Sequence, residues 1–420
     1  MAGSLGRAGL FFTLSPVAFY SQQNNRKTTR FLAAFVNRHN FKMNSGMKLT
    51  NRFLSLDVFR GLTICLMIVV NSPGTGADIY PYLAHADWFG FTLADLVFPS
   101  FLFAMGNAMS FSMKKFQSVE PRLFWKKILR RTFLIFLFGY LMYWYPFFQQ
   151  ASDGWELKPI SETRIMGVLQ RIALCYFFAA IMLYYLARRS VIILSAAALL
   201  GYWGILYLFG EPGGVLDMAT NAGTKLDFAI LGEGHIYKGD KIPFDPEGIL
   251  STLPAIVNVV AGYFAGVFVQ EKGKTFEGIS KLLIAGFLIT SLALWWDLIF
   301  PISKKLWTSS FVLYTVGLDL SIMAVLIYAI EIKKVKFGVY FNDVFGKNPL
   351  FIYLFSEIFF ITLRHIPTNS GLDAYEWVSE KVFQNIFPGA FGSLMTAVVF
   401  MLLCWSLGWW LNKKRIYIKI

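Results

Sequence analysis

Residues 55–110 read SLDVFRGLTICLMIVVNSPGTGADIYPYLAHADWFGFTLADLVFPSFLFAMGNAMS. Two apolar runs, 62–70 and 96–105, enclose a polar segment rich in turn residues. Asp57, Arg60, Asn71, His85, Asp87, Trp88 and Asp95 are set into the runs and the segment. Ionisable groups at membrane depth are costly and tend to mark a site. The stretch therefore decides the fold class, and it says where chemistry should be sought first.

Outward from it, the chain repeats the same apolar signal. Of 420 residues 56% are apolar and 15% charged, too little charge to cover a soluble surface. The apolar residues come in runs of about 20, the length that crosses a bilayer as helix. The alternating ten-residue segments of a membrane β-barrel do not occur. The expected fold is all-α: a polytopic transmembrane helical bundle of about ten spans. They fall near 54–72, 92–113, 131–148, 167–187, 190–209, 249–270, 280–298, 309–330, 348–363 and 390–411.

Basic residues alternate between the connections. The link 114–131 holds seven Lys and Arg, whereas 73–91 holds none. Over all links the two sides carry 20 and 9. The positive-inside bias then places both termini in the cytoplasm and His85 on the outer side. The net charge of +14 is thereby read as topology, not as a nucleic-acid footprint. Cys65, Cys175 and Cys404 lie inside apolar runs and read as small core residues, with neither a disulfide nor a metal site expected.

Residues 1–46 lack any Asp or Glu and read as an N-terminal extension, disordered or preceding the true start at Met43 or Met47. Residues 47–420 form the transmembrane domain, with 210–248 as an external loop or cap. No internal repeat is evident. P-loop, dinucleotide-binding, HExxH and GxSxG patterns do not occur.

His85 is the candidate general base, since histidine titrates near neutral pH. Asp87 or Asp95 would orient its ring; the alternative is an interfacial histidine bonded to backbone. Asp57 and Arg60, three apart, share one helix face. They make either an ion pair or, through Arg60, a contact to a cofactor phosphate. Arg171, deep in RIMGVLQRIALCYF, needs a carboxylate or a ligand anion as partner; Asp57, Asp95, Asp297, Asp319 and Glu357 are the candidate carboxylates. Glu247 in FDPEG suits the first turn of a helix, and Asn258 lies in the apolar span that follows. Asn348-Pro349 reads as an N-cap followed by proline at the first helical position. Trp307 reads as an interfacial belt residue. Lys126, Lys127, Arg130 and Arg131 read as a topology signal or as an attractor of phosphates.

These motifs, in order, resemble a known family. RFLSLDVFRGLTI, HADWFG and TLADLVFPSFLFAMG are similar to the membrane catalytic region of heparan-α-glucosaminide N-acetyltransferase and its bacterial relatives. RIMGVLQRIALCYF, DPEGILSTLPAIVNVVAGYFAG, LWTSSFVLYTVG and KNPLFIYLFSE resemble its later blocks, over roughly 50–411. The resemblance implies transfer of an acetyl group from cytoplasmic acetyl-CoA, a co-substrate, to a glucosamine-type amine on the outer side. It assigns catalytic roles to His85, Asn71 and Asp95, and cofactor contacts to Arg171, with Arg60 and Asn258 as further candidates; no metal is implied. His85 would act as base or carry the acetyl group, and Asn71 would stabilise the oxyanion or hold the pantetheine end.

Two departures bear on the acceptor. Asp87 and Phe89 flank Trp88 where the family carries other polar residues, and no counterpart of the large luminal domain of the heparan enzyme is expected. A periplasmic amino sugar or cell-wall fragment is the acceptor expected. The expected partners are the bilayer, acetyl-CoA and that acceptor, with a homodimer as one option for assembly and no nucleic acid. The expected location is the inner (plasma) membrane. An amino-sugar transporter without transferase activity is the alternative, and a non-catalytic scaffold a third reading.

Overall fold

The computed structural model describes residues 53–116, 119–151 and 154–418; the extension expected at 1–46 lies outside them. The long helices are α1 Leu54–Asn71, α2 Leu93–Phe116, α3 Pro121–Trp144, α4 Val168–Tyr185 and α5 Arg188–Phe209. A short α6, Ala222–Leu231, lies in the external loop. It is followed by α7 Thr252–Lys272, α8 Phe276–Asp297 and α9 Ser309–Leu326, which runs on in a wider helical turn to Ile332. The chain closes with α10 Val339–Lys347, α11 Pro349–Arg364, a short α12 Ala374–Trp377 and α13 Ala390–Lys413. A small hairpin pairs Phe148–Ala151 with Gly154–Leu157.

Among the described residues, eight helices are long and apolar enough to cross a membrane: α1, α2, α4, α5, α7, α8, α9 with its extension, and α13. The other two expected spans have a different character. Helix α3 is 24 residues long, but its first half carries Arg122, Lys126, Lys127, Arg130 and Arg131. The span expected at 348–363 is the second arm of a broken helix: α10 and α11 meet at 86°. Pro349 at the start of α11 explains the break, since proline disfavours helical geometry in the residue before it.

Helix α2 is the centre of the bundle, mostly buried along its length. It packs on α7 with almost no side chain between the backbones. A Cβ on Gly106 would lie 2.0 Å from the Val259 carbonyl oxygen, and one on Gly262 would lie 2.0 Å from that of Phe103. Gly262 and Gly266 form the small-xxx-small pattern that permits such an approach. Helices α1 and α10 cross the same way through Gly61 and Gly346. On the outside, α5 and α8 expose Ile193, Leu208, Phe209, Ile284, Phe287 and Trp295, the surface a lipid solvent would cover.

The alternate links gather at two ends, as the basic-residue pattern implies. At one end, Glu331 accepts from the Ser55 backbone (3.1 Å) and pairs with Lys274 (2.6 Å). There too Lys114 donates to Gln270, and Asn348 holds the tail through the Ile416 carbonyl and the Ile418 N–H. Asn348 thus spends its side chain on the tail and makes no side-chain cap to α11. At the other end, Gly90 N–H donates to Ile302, Trp88 Nε1 to Leu216, and Tyr375 Oη to Ser72. The His85 loop lies at this second end, the His85 end.

Candidate active site

The His85 loop is tied down by one buried carboxylate. Asp95 lies in the first turn of α2 and is fully shielded from solvent. Its Oδ2 accepts from the backbone N–H of Ala86 (3.1 Å) and of Thr92 (3.0 Å), and from Thr92 Oγ1 (3.1 Å). Thr92-x-x-Asp95 is the spacing of a capping box, in which the third helical residue reaches back to the cap N–H. The single Thr92 hydroxyl proton is shared between Asp95 Oδ2 and the Ala84 carbonyl, which is the nearer acceptor at 2.7 Å. Pro99, one turn on, has no N–H to offer the Asp95 carbonyl.

The other carboxylate oxygen, Oδ1, lies 2.8 Å from His85 Nδ1. The orienting residue is therefore Asp95; Asp87 is exposed. The His85 side chain keeps 39% of its surface exposed, whereas Asp95 has none. With Nδ1–H directed at Asp95, the lone pair of the imidazole falls on Nε2.

Sequence reading missed the third member. Lys304 Nζ stands 3.0 Å from His85 Nε2, 3.1 Å from Nδ1 and 3.9 Å from Asp95 Oδ1. The nearly equal distances to both ring nitrogens set Nζ against the ring rather than on the lone pair of either one. Burial lowers the Lys304 ammonium below the usual lysine range; Asp95 and Glu247 oppose this, and Lys305 and Arg171 add to it. The available signal was a pair of lysines on the side otherwise poor in basic residues, directly before the LWTSS block.

A second cluster joins motifs 81 and 83 residues apart. Arg164 makes two hydrogen bonds to Asp245 (2.6 and 3.2 Å) and one to Glu247 (2.6 Å), between the rings of Tyr143 and Tyr237. Glu247 precedes α7 by several residues, so it is an ion-pair partner and not a first-turn acid. Burial opposes its ionisation, but Arg164, Arg171 and Lys304 together hold its carboxyl below the ordinary range. Asp245 is pushed the other way, by burial and by the adjacent Glu247 charge, despite Arg164.

Arg171 is fully buried in α4, and none of the five proposed carboxylates is its partner. It donates to the Gly248 carbonyl (3.1 Å) and to Ser251 Oγ, and it lies 4.7 Å from the centre of the Trp307 ring. Backbone oxygen, hydroxyl and an aromatic face replace the expected anion. Its Nε and Nη1 have no hydrogen-bond partner among the described residues. Trp307 is fully buried rather than interfacial, and its Nε1 donates to Asn258 Oδ1 at 3.2 Å. Asn258 Nδ2 continues to Thr315 at 3.1 Å. Arg171 and Asn258 are thus brought together through a tryptophan.

Asn71 and Arg60 stand apart from this assembly. Asn71, at the end of α1, donates to Glu357 Oε1 at 3.1 Å, and both line a cleft of about 180 Å³. Arg60 pairs with Asp57 at 2.6 Å and donates through Nε to the Gly346 carbonyl at 2.9 Å. Eleven residues of helical rise put it roughly 16 Å from Asn71. It is engaged in holding α1 to α10.

The constellation is an orienting carboxylate, an accessible imidazole and a buried ammonium. This set can move protons and stabilise a developing negative charge. A family model described as heparan-alpha-glucosaminide N-acetyltransferase, catalytic, matches residues 52–288. The chain is 27% identical to the human heparan-alpha-glucosaminide N-acetyltransferase over 404 residues, 83% of this chain and 59% of that protein. The mouse protein of the same name is 26% identical over 406 residues, 83% and 60% respectively. The chain therefore spans about three-fifths of the length of these relatives. Those blocks contain His85, Asp95, Arg164 and Arg171, and the chain belongs to the heparan-alpha-glucosaminide N-acetyltransferase catalytic family.

Proposed function

We propose that the chain is a membrane acetyltransferase. It moves the acetyl group of acetyl-CoA, taken from the cytoplasm, to the amine of a glucosamine-type sugar at the His85 end. That end faces outward from the inner (plasma) membrane, with both termini in the cytoplasm. The observation that carries the reading is the His85–Asp95 pair. A buried carboxylate fixes one imidazole nitrogen at 2.8 Å while the ring stays open to an incoming group.

The chemistry follows from the residues. An amine attacks a thioester only when neutral, so a base must take its proton. His85 Nε2 is that base, and Asp95 stabilises the imidazolium that forms. Arg171 and Asn258 are buried and linked by Trp307. Their role is to hold the acyl donor, and that of Asn71 is to position its carbonyl from the Glu357 side.

Purified protein in lipid discs, given radiolabelled acetyl-CoA and glucosamine, should yield labelled N-acetylglucosamine. His85→Ala should abolish the label while retaining the melting temperature. Uptake of glucosamine without transfer would support the transporter reading instead. Full activity in His85→Ala would remove the site assignment.

A further inference from the structure

The mechanism above leaves one group at the site without a task. Lys304 comes from the α8–α9 link, far in sequence from the His85 loop, yet its Nζ is 3.0 Å from the nitrogen that acts as base. Its side chain is only 16% exposed. Asp95 stands 3.9 Å away, too far to satisfy it as a direct ion pair of good geometry. A purely structural lysine would be expected to reach the carboxylate or the solvent. This one reaches the imidazole.

We infer that Lys304 is the acid–base partner of His85, passing the proton taken from the acceptor amine on to the departing thiolate. This inference rests on the acetyltransferase reading. The acceptor begins as an ammonium and surrenders one proton to His85 Nε2. The neutral amine then forms the N–C bond at the thioester carbonyl, and the C–S bond breaks. The thiolate takes a proton from the Lys304 ammonium, and the resulting Lys304 amine recovers one from the adjacent His85 imidazolium. The second proton on the acylated nitrogen leaves to solvent. Ammonium and acetyl-CoA thus become amide, free thiol and one proton, with both side chains restored.

The surroundings suit the task. Lys304 meets His85 from the loop and Asp95 from α2, and the charges of Glu247 from the segment before α7, Lys305 beside it and Arg171 from α4 act on it. Burial and two neighbouring cations ease release of its proton, while Asp95 and Glu247 oppose that release. A lysine poised in this way is suited to general acid–base work, whereas an arginine there stays charged.

The test is acetyl transfer by the full chain in lipid discs. Lys304→Arg keeps the charge and loses the proton cycle. It should lower kcat by about 100-fold or more with KM for acetyl-CoA and the melting temperature little changed. Lys304→Ala, tested in parallel against misfolding of the arginine variant, should regain rate with added methylamine, in proportion to the free-base fraction. Wild-type rates in Lys304→Arg, or an alanine variant indifferent to methylamine, would overturn the inference. In either of those cases His85→Ala would still be inactive and the acetyltransferase reading would stand. A wild-type protein with no transfer would sink both.

Discussion

Asp95→Asn separates the two roles of the buried carboxylate. The amide has the same shape but only one acceptor oxygen. Three donors converge on Oδ2 and one imidazole on Oδ1. The amide oxygen therefore stays with the Ala86 and Thr92 donors, and the NH₂ turns to His85. It then donates to Nδ1, which forces the imidazole proton onto Nε2, the nitrogen that must be free. Loop anchoring survives, so stability should fall by only about 1–2 kcal/mol, the share of one charge-assisted bond. Activity should fall by roughly 10³–10⁴-fold, the scale of a histidine held in the wrong tautomer. Asp95→Ala should lose the same activity and also about 3 kcal/mol or more, because buried N–H groups are left unpaired. Transfer rate and thermal unfolding, measured on the same lipid-disc samples, give both quantities. An asparagine variant within a few-fold of wild-type activity would refute the tautomer argument.

Two further outcomes test the fold. Gly106→Val places side-chain atoms where Val259 backbone already lies, and should cost about 3 kcal/mol, seen as a lower melting temperature; an unchanged transition would contradict the α2–α7 contact. Asp227 is raised to about 7 chiefly by burial, against the Ile249 N–H bond. A carboxyl that binds its proton more tightly when folded favours folding most below its unfolded value, near pH 4. That advantage is lost as pH rises towards 7 and is flat beyond. Asp227→Asn cannot ionise, so its stability relative to wild type should climb from pH 4 to 7, by up to about 4 kcal/mol. A difference that is independent of pH would show that the native carboxyl is not perturbed.

The bundle was legible because spans are written in composition. Runs of apolar residues and the alternation of basic links predict which connections share an end, and Glu331–Lys274 at one end and Gly90–Ile302 at the other agree. His85 and Asp95 were legible because they are ten residues apart on one loop and helix entry. Lys304 was not, because a lysine in an outer link carries the same letter whether it faces water or an imidazole. The partners of Arg171 were unreadable for a different reason. A carbonyl, a hydroxyl and an aromatic face take up part of its hydrogen-bonding capacity and charge, and they leave no charge pattern to search for. Arg164 with Asp245 and Glu247 required the long-range pairing that only the fold supplies.

One turn joins the two halves of the site. Trp307 is a non-glycine residue in the left-handed region, with φ of +54°. Such a backbone costs on the order of 1–3 kcal/mol and persists only when its surroundings fix it. Here they do. Trp307 N–H bonds the Lys304 carbonyl (3.0 Å) and Thr308 N–H the Ser303 carbonyl (3.1 Å), while Ser303 N–H donates to Thr308 Oγ1 (3.1 Å). Tyr202 adds a bond to the Leu306 carbonyl at 2.5 Å. The reversal lets Lys304 face the His85 loop while Trp307, three residues later, turns inward between Arg171 and Asn258. A regular helix would put residues three apart on the same face, and could not serve both. The strained turn therefore sets Lys304 at the His85 loop and Trp307 against Arg171 and Asn258 within one short link.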